Sequence, residues 1–197
     1  MGATVHGGPR KPGFTLIELL IVVSLMMVLA GLALPHSAPS LHEQLRSTAR
    51  ILAGDLAYAR SLAVMNASSY RLSFDLASNT YTLRHSGSDA ALDHLPSPPF
   101  ASPQDTPTRH TVALADLPHV AAPARLAAVA VSGTALQAVS DVEFGPLGQT
   151  TRSGVTLIWL AAGEGAAQRY LAISVHPVTG LASIGPLSAS GPPVGFE

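Results

Sequence analysis

Between Phe14 and Leu34 the chain runs for 21 residues with a single charge, Glu18. Nothing else in the sequence restricts the fold as tightly. At 1.5 Å rise per residue such a run makes a helix of about 31 Å, enough to cross the hydrocarbon core of a bilayer. Arg10 and Lys11 stand just ahead of it, so the positive-inside rule keeps residues 1–13 in the cytoplasm and sends the C-terminus outward through membrane lipid. A carboxylate inside such a segment costs about 2.5–3.5 kcal/mol on insertion scales, so Glu18 is expected to be functional and to have a partner.

The residues around that carboxylate carry a pattern: Lys11-Pro12-Gly13, then Phe14-Thr15-Leu16-Ile17-Glu18-Leu19-Leu20-Ile21. A short basic leader ending in Gly, followed by this sequence and an apolar helix, resembles the class III signal of type IV prepilins and type II secretion pseudopilins. The resemblance implies that a prepilin peptidase cuts between Gly13 and Phe14 on the cytoplasmic face and that the new Phe14 amine is N-methylated. It also implies that the helix is kept, unlike a secretory signal, whose apolar core of about 7–15 residues is removed. After cleavage Phe14 bears a charged amine and Glu18 lies four residues on, a spacing that shares a helix face. The positive N-terminal end of the helix dipole also favours a carboxylate there. Glu18 can then pair with its own terminal amine or with that of an adjacent subunit, and so act as a register device in assembly.

Length and composition bound the remainder. The 197 residues leave room for a leader, a long helix and one globular domain of about 130 residues. The chain has no cysteine, which excludes disulfides, thiolate metal sites and cysteine nucleophiles. Pro35 interrupts the helix, with a kink expected there. A second helical pattern follows, with Ser40 as N-cap and Glu43 at capping-box spacing. Leu41, Leu45, Thr48, Leu52, Leu56, Ala59 and Ala63 form one apolar stripe, expected to lie against the protein's own sheet. From Ser69 the period changes to two. Tyr70–Phe74 and Tyr81–Arg84 flank Asp75–Asn79 as a β-hairpin. Further strands are expected near His110–Leu114, Arg125–Val131, Val139–Phe144, Val155–Leu160, Tyr170–Val175 and Leu181–Ile184, with turns at Gly145–Gly148 and Gly163–Gly165. Pro96, Pro98, Pro99, Pro103 and Pro107 make residues 86–108 read as an exposed loop without regular structure. The organisation expected is a leader at 1–13, a transmembrane helix at 14–34 and an amphipathic helical half at 35–66. A β domain at 67–187 and a flexible tail at 188–197 complete it.

Two stretches narrow the resemblance to the GspH/FimT type of minor pseudopilin. Leu52-Ala53-Gly54-Asp55-Leu56-Ala57-Tyr58-Ala59-Arg60-Ser61-Leu62-Ala63 is similar to the family's helix segment that runs straight into a strand. Val142-Glu143-Phe144-Gly145-Pro146-Leu147-Gly148 is similar to its Phe-x-x-x-Gly turn, followed by Leu157–Leu160 and Leu171–Val175 as its last strands. What this implies is an α+β, pilin-like fold, in which a long N-terminal helix packs on a mostly antiparallel β domain. Many members carry Gly-Arg-x-Arg near the last strand, and here Thr179-Gly180-Leu181-Ala182-Ser183 lacks both arginines. From Ala67 to Glu197 there are six arginines and nine acids, a formal charge of −3. A nucleic-acid partner, which needs clustered cations, is therefore not expected.

No nucleophile elbow, P-loop, zinc-protease helix or dinucleotide fingerprint occurs, so neither catalytic residues nor a cofactor is expected. The eight histidines never pair at the three- or four-residue spacing of helical zinc sites. His85, His94, His110 and His119 read as solvated. Asp89, Asp93 and Asp105 could ligate calcium, but no Asp-rich calcium loop supports it, and no metal is expected. Two functions remain open. One is a minor pseudopilin of a type II secretion system, or a minor type IV pilin, anchored in the bacterial inner membrane with its β domain in the periplasm. Its partners would be other pseudopilins or pilins and the inner-membrane assembly platform. The other is a binding module that uses the anchor only for display.

Overall fold

The computed structural model describes residues 14–33, 40–97, 102–117 and 124–192. The chain divides into two compact units, residues 1–38 and 39–197. Gly13 and Pro35 lie outside the described residues, and with them the scissile bond and the expected kink.

In the first unit, helix α1 spans Leu16–Ala33. Thr15 caps it: its Oγ1 accepts from the Glu18 amide at 3.3 Å, and its carbonyl accepts from Leu19 at 3.2 Å. Phe14 and Thr15 thus precede the helix, and Glu18 sits in its first turn. Residues 14–30 are exposed all round. A helix that is apolar on every side needs an apolar surrounding beyond its own unit. Among the described residues no helix is long and apolar enough to cross a membrane. The 18 residues of α1 rise about 27 Å, just short of a bilayer core of about 30 Å.

In the second unit, helix α2 spans Leu41–Met65. Its N-terminus is the expected capping box, with Ser40 Oγ accepting from the Glu43 amide at 3.3 Å and Glu43 Oε2 accepting from the Ser40 amide at 3.0 Å. Its C-terminus closes with Ser68 N–H on the Ala63 carbonyl and Ala67 N–H on the Val64 carbonyl. Ala67 takes φ 46°, the left-handed position that glycine usually fills in this motif.

Among the described residues nine strands follow: β1 Tyr70–Asp75, β2 Thr80–His85, β3 His110–Ala113, β4 Arg125–Val131, β5 Gln137–Ala138, β6 Asp141–Phe144, β7 Thr156–Ala162, β8 Arg169–Val175 and β9 Ala182–Ser188. They form a four-stranded sheet in the order β3-β2-β1-β6 and a five-stranded sheet in the order β5-β4-β7-β8-β9. Every pairing is antiparallel. The apolar stripe of α2, from Leu45 through Leu52 and Leu56 to Ala63, is buried against β1, β6, β7, β8 and β9. Across from it the core is filled by Tyr70, Leu72, Phe144, Ile158, Leu160 and Ile173. The α+β arrangement expected from the sequence, a helix on antiparallel sheets, is the one observed.

One expectation fails in the loop between β2 and β3. Proline content suggested no regular element, yet Ala90–Asp93 forms a 3-10 turn, capped by Asp89 accepting from the Ala91 amide. The Leu95 amide donates to the Pro107 carbonyl at 2.8 Å, and the Leu95 side chain packs on the core. Local aspartate caps supply acceptors that compensate for the donors proline lacks. Two further 3-10 turns, Leu114–Asp116 and Gly165–Ala167, extend segments that the sequence presents as a strand end and a simple turn.

Candidate functional site

Of the residues singled out for processing and assembly, Phe14 and Glu18 are described. Phe14 is 80% exposed at the foot of α1, ahead of the Thr15 cap. Glu18 is the acidic residue of the first turn of α1, where its charge meets the positive end of the helix dipole. Within this unit it has no cation partner among the described residues.

The second unit holds its helix to its sheets through polar contacts that join distant parts of the sequence. Arg60 Nε on α2 donates to the Thr179 carbonyl at 2.7 Å. That carbonyl lies in the turn before β9, where Gly180 has φ 64°. A Cβ on Gly180 would stand 2.0 Å from the Gly148 carbonyl oxygen and 3.1 Å from Arg60 Cδ. The two stretches that carry the GspH/FimT resemblance therefore meet at one point, with the arginine of the helix segment laid across the last glycine of the turn segment. Asn79, at φ 55°, performs a similar bridge. It accepts from the Leu126 amide at 2.8 Å and donates to the Ala124 carbonyl at 3.1 Å, linking the β1–β2 hairpin to β4 of the other sheet.

Beneath α2 the Tyr81 hydroxyl donates to the Asp55 carboxylate. Burial raises the Asp55 pKa above the ordinary carboxylate range, while Tyr81 and His110 oppose the shift. The Tyr81 phenol is driven well above its normal range by burial and by the neighbouring Asp55. On the other face of the first sheet, Arg71 contacts Asp141 at 3.3 Å and Glu143 at 3.0 Å, and Arg152 pairs with Asp141. A cleft of about 460 Å³ opens beside Arg152, lined by Ser132, Thr134, Gln137 and Thr151. The guanidinium at its edge is already engaged by Asp141.

The histidine reading needs correction. His94 is exposed, but His85 and His110 are buried. His85 Nδ1 lies 2.8 Å from Asp93, and His110 Nδ1 lies 2.8 Å from Asp105. The aspartates come from the same loop that was expected to be wholly exposed. Each partner stands only eight or five residues away, yet in a segment whose composition signals solvent, so sequence offered no cue to the pairing. His119 lies outside the described residues. Asp105 also accepts from the Ser102 and Thr111 amides. Burial would raise its pKa, but these amides and His110 outweigh it and hold the carboxyl below the ordinary range. Asp89, Asp93 and Asp105 are thus committed to separate partners, a cap, a histidine and a loop closure. Among the described residues no group of acidic and histidine side chains is placed to hold a metal ion.

Residues 9–34 match the prokaryotic N-terminal methylation motif. Among curated proteins none matches the sequence. Two crystal structures of the type IV minor pilin FimU from Pseudomonas aeruginosa strain PAO1, in space groups P21 and P65, resemble the chain at 19% and 18% identity. Each covers 76% of this chain, and 92% and 98% of FimU respectively, with a TM-score of 0.43. A likeness that loose transfers no role. The motif itself, joined to a helix apolar on every side, defines a protein with a prepilin-type N-terminus.

Proposed function

We propose that the protein is a minor subunit of a pilin-like filament, namely a minor pseudopilin of the GspH/FimT type in the periplasmic pseudopilus of a type II secretion system. The observation that carries this reading is the methylation motif over residues 9–34, lying on a helix with an exposed apolar surface and one acid in its first turn. In this reading prepilin peptidase cleaves between Gly13 and Phe14, the Phe14 amine is methylated, and residues 14–34 span the inner membrane with the β domain in the periplasm. The assembly platform then draws subunits from the membrane into the filament. Glu18 answers the Phe14 amine of its own or a neighbouring chain, since an unpaired charge in hydrocarbon is costly. Pro35 sets the bend between the anchor and the following helix. Within the filament its role is structural.

Absent arginines at Leu181 and Ser183 and the acidic balance of the β domain disfavour a DNA-uptake pilin. Mass spectrometry of the mature chain is expected to find N-methyl-Phe14 at the N-terminus. Intact Met1–Gly13 in cells with an active prepilin peptidase would refute the processing. Glu18→Ala is expected to abolish incorporation into filaments while leaving the chain folded and membrane-bound; a displayed binding module would instead keep its activity. Neighbouring genes for a secretin and other pseudopilins fit type II secretion, whereas genes for pilus retraction would reassign the subunit to a type IV pilus.

A further inference from the structure

The end of α2, the end of β2 and the 3-10 turn of the β2–β3 loop meet at His85. Its Nε2 lies 2.7 Å from Ser68 Oγ and its Nδ1 lies 2.8 Å from Asp93 Oδ1. The tautomer that satisfies both bonds carries its proton on Nδ1, donates it toward Asp93, and accepts the Ser68 hydroxyl proton at Nε2. This is the connectivity of a nucleophile, a general base and an orienting carboxylate, which is recognised by geometry and not by sequence order. The His85 side chain is 1% exposed while that of Asp93 is 51% exposed, and the ring meets Tyr70 edge-on at 5.1 Å between centroids. The base is thus fixed in place, and Ser68 itself is only half-buried. Gly87 makes the arrangement possible, because a Cβ there would stand 2.2 Å from Ser68 Oγ and 2.8 Å from His85 Nε2.

We propose that Ser68 is an activated nucleophile that accepts acyl groups from small, solvent-borne esters, with His85 as its base and Asp93 as the group that positions His85. Ser68 Oγ bonds to the ester carbonyl carbon as its proton passes to His85 Nε2. The tetrahedral species collapses, the ester C–O bond breaks, and the alcohol leaves with the proton from His85. Water then adds to the acyl carbon, giving a proton to His85, and the carboxylic acid departs as Ser68 recovers that proton. The site is built wholly from residues of the second unit and does not depend on the filament reading.

The test uses the full chain in detergent micelles, a biotin-tagged fluorophosphonate and p-nitrophenyl acetate. With the phosphonate, Ser68 Oγ displaces fluoride from phosphorus and His85 holds the released proton. The expected result is a label on the Ser68 peptide by mass spectrometry, absent in Ser68→Ala and slowed about 100-fold or more in His85→Gln. Gly87→Ala, which pushes Ser68 off His85, is expected to slow labelling similarly, with unfolding temperature confirming that each variant is folded. Asp93→Asn is expected to lower the p-nitrophenyl acetate rate and alter its pH profile, a change that mere loss of a loop tether would not produce. Wild-type labelling no faster than that of Ser68→Ala, or equal rates in folded wild type and His85→Gln, would overturn the proposal and leave the three side chains as a structural clamp.

Discussion

Replacing Gly180 by Ala probes the point where α2 is locked to the last turn of the β domain. Two penalties act together. The left-handed backbone at φ 64° costs an alanine about 1 kcal/mol. The added Cβ would also lie 2.0 Å from the Gly148 carbonyl oxygen, so backbone must move, at about 1–3 kcal/mol for overpacking of this kind. Any shift of the turn also lengthens the 2.7 Å bond from Arg60 to Thr179, a contact near solvent that adds little. The sum is roughly 3 kcal/mol. For a unit of this size, about 2–4 °C is lost per kcal/mol, which gives a fall in Tm of about 6–12 °C, read from the fluorescence of the single tryptophan, Trp159. Gly165→Ala supplies the control. It too is left-handed, at φ 54°, but a Cβ there meets nothing within 4 Å, so strain alone should cost about 1 kcal/mol. Equal losses in the two variants would refute the close packing of the Gly148 and Gly180 turns. A loss in Gly180→Ala alone would refute the strain argument.

Three further outcomes follow from the same packing. Asp55 binds a proton more readily in the folded chain than in the unfolded one, because burial lifts it above the 3.8 of a free aspartate. The folded state therefore loses stability as pH rises from about 3.8 through the raised value. Asp55→Asn should remove that decline and raise the denaturant midpoint near neutrality. Parallel midpoint curves for the two proteins between about pH 4 and 7 would contradict the burial argument. Leu56→Ala, at a fully buried position of the α2 stripe, should cost about 2–5 kcal/mol through lost transfer energy and a cavity; a loss under about 1 kcal/mol in chemical denaturation would mean the stripe is not core. Ala67→Gly should stabilise by several tenths of a kcal/mol or more, since glycine takes the φ of 46° without the steric cost alanine bears, and a lowered Tm would count against the helix closure described.

What was legible in the sequence had local causes. The α2 stripe could be read because a helix with one buried face repeats its apolar residues at three and four, and Leu45, Leu52, Leu56 and Ala63 all proved buried. The β1–β2 hairpin was legible from alternation around an Asp and an Asn, and Asp75 does accept from the Ala77 and Ser78 amides in the turn. Strand β5, only two residues long, is too short for any periodicity to register. The second role of Asn79, the reach of Arg60 and the burial of His85 and His110 depend on partners brought in by the tertiary fold. Composition misled most in the β2–β3 loop, where proline and aspartate signal solvent but aspartates instead turn inward onto two histidines. At the N-terminus the pattern was legible because the methylation motif is one contiguous run, residues 9–34.

The meeting of Arg60, Gly148 and Gly180 bears on what the GspH/FimT resemblance can report. Its helix segment contributes the arginine that holds a carbonyl, and its turn segment contributes the glycine whose carbonyl leaves no room for a side chain at Gly180. Those residues fasten the helix to the sheet and bring together stretches 84 residues apart, from Arg60 to Phe144. The residues beside the lock are under no such constraint. Leu147, Val178 and Leu181 are 84%, 74% and 56% exposed, and Leu181 and Ser183 stand where many members of that type carry arginine. A surface that would draw phosphate when basic has little attraction for it when apolar. The fastening and the surface beside it are therefore set by different residues. In the proposed filament, the lock would fix the β domain to its helix, and the choice of what the domain touches would be left to the side chains around it.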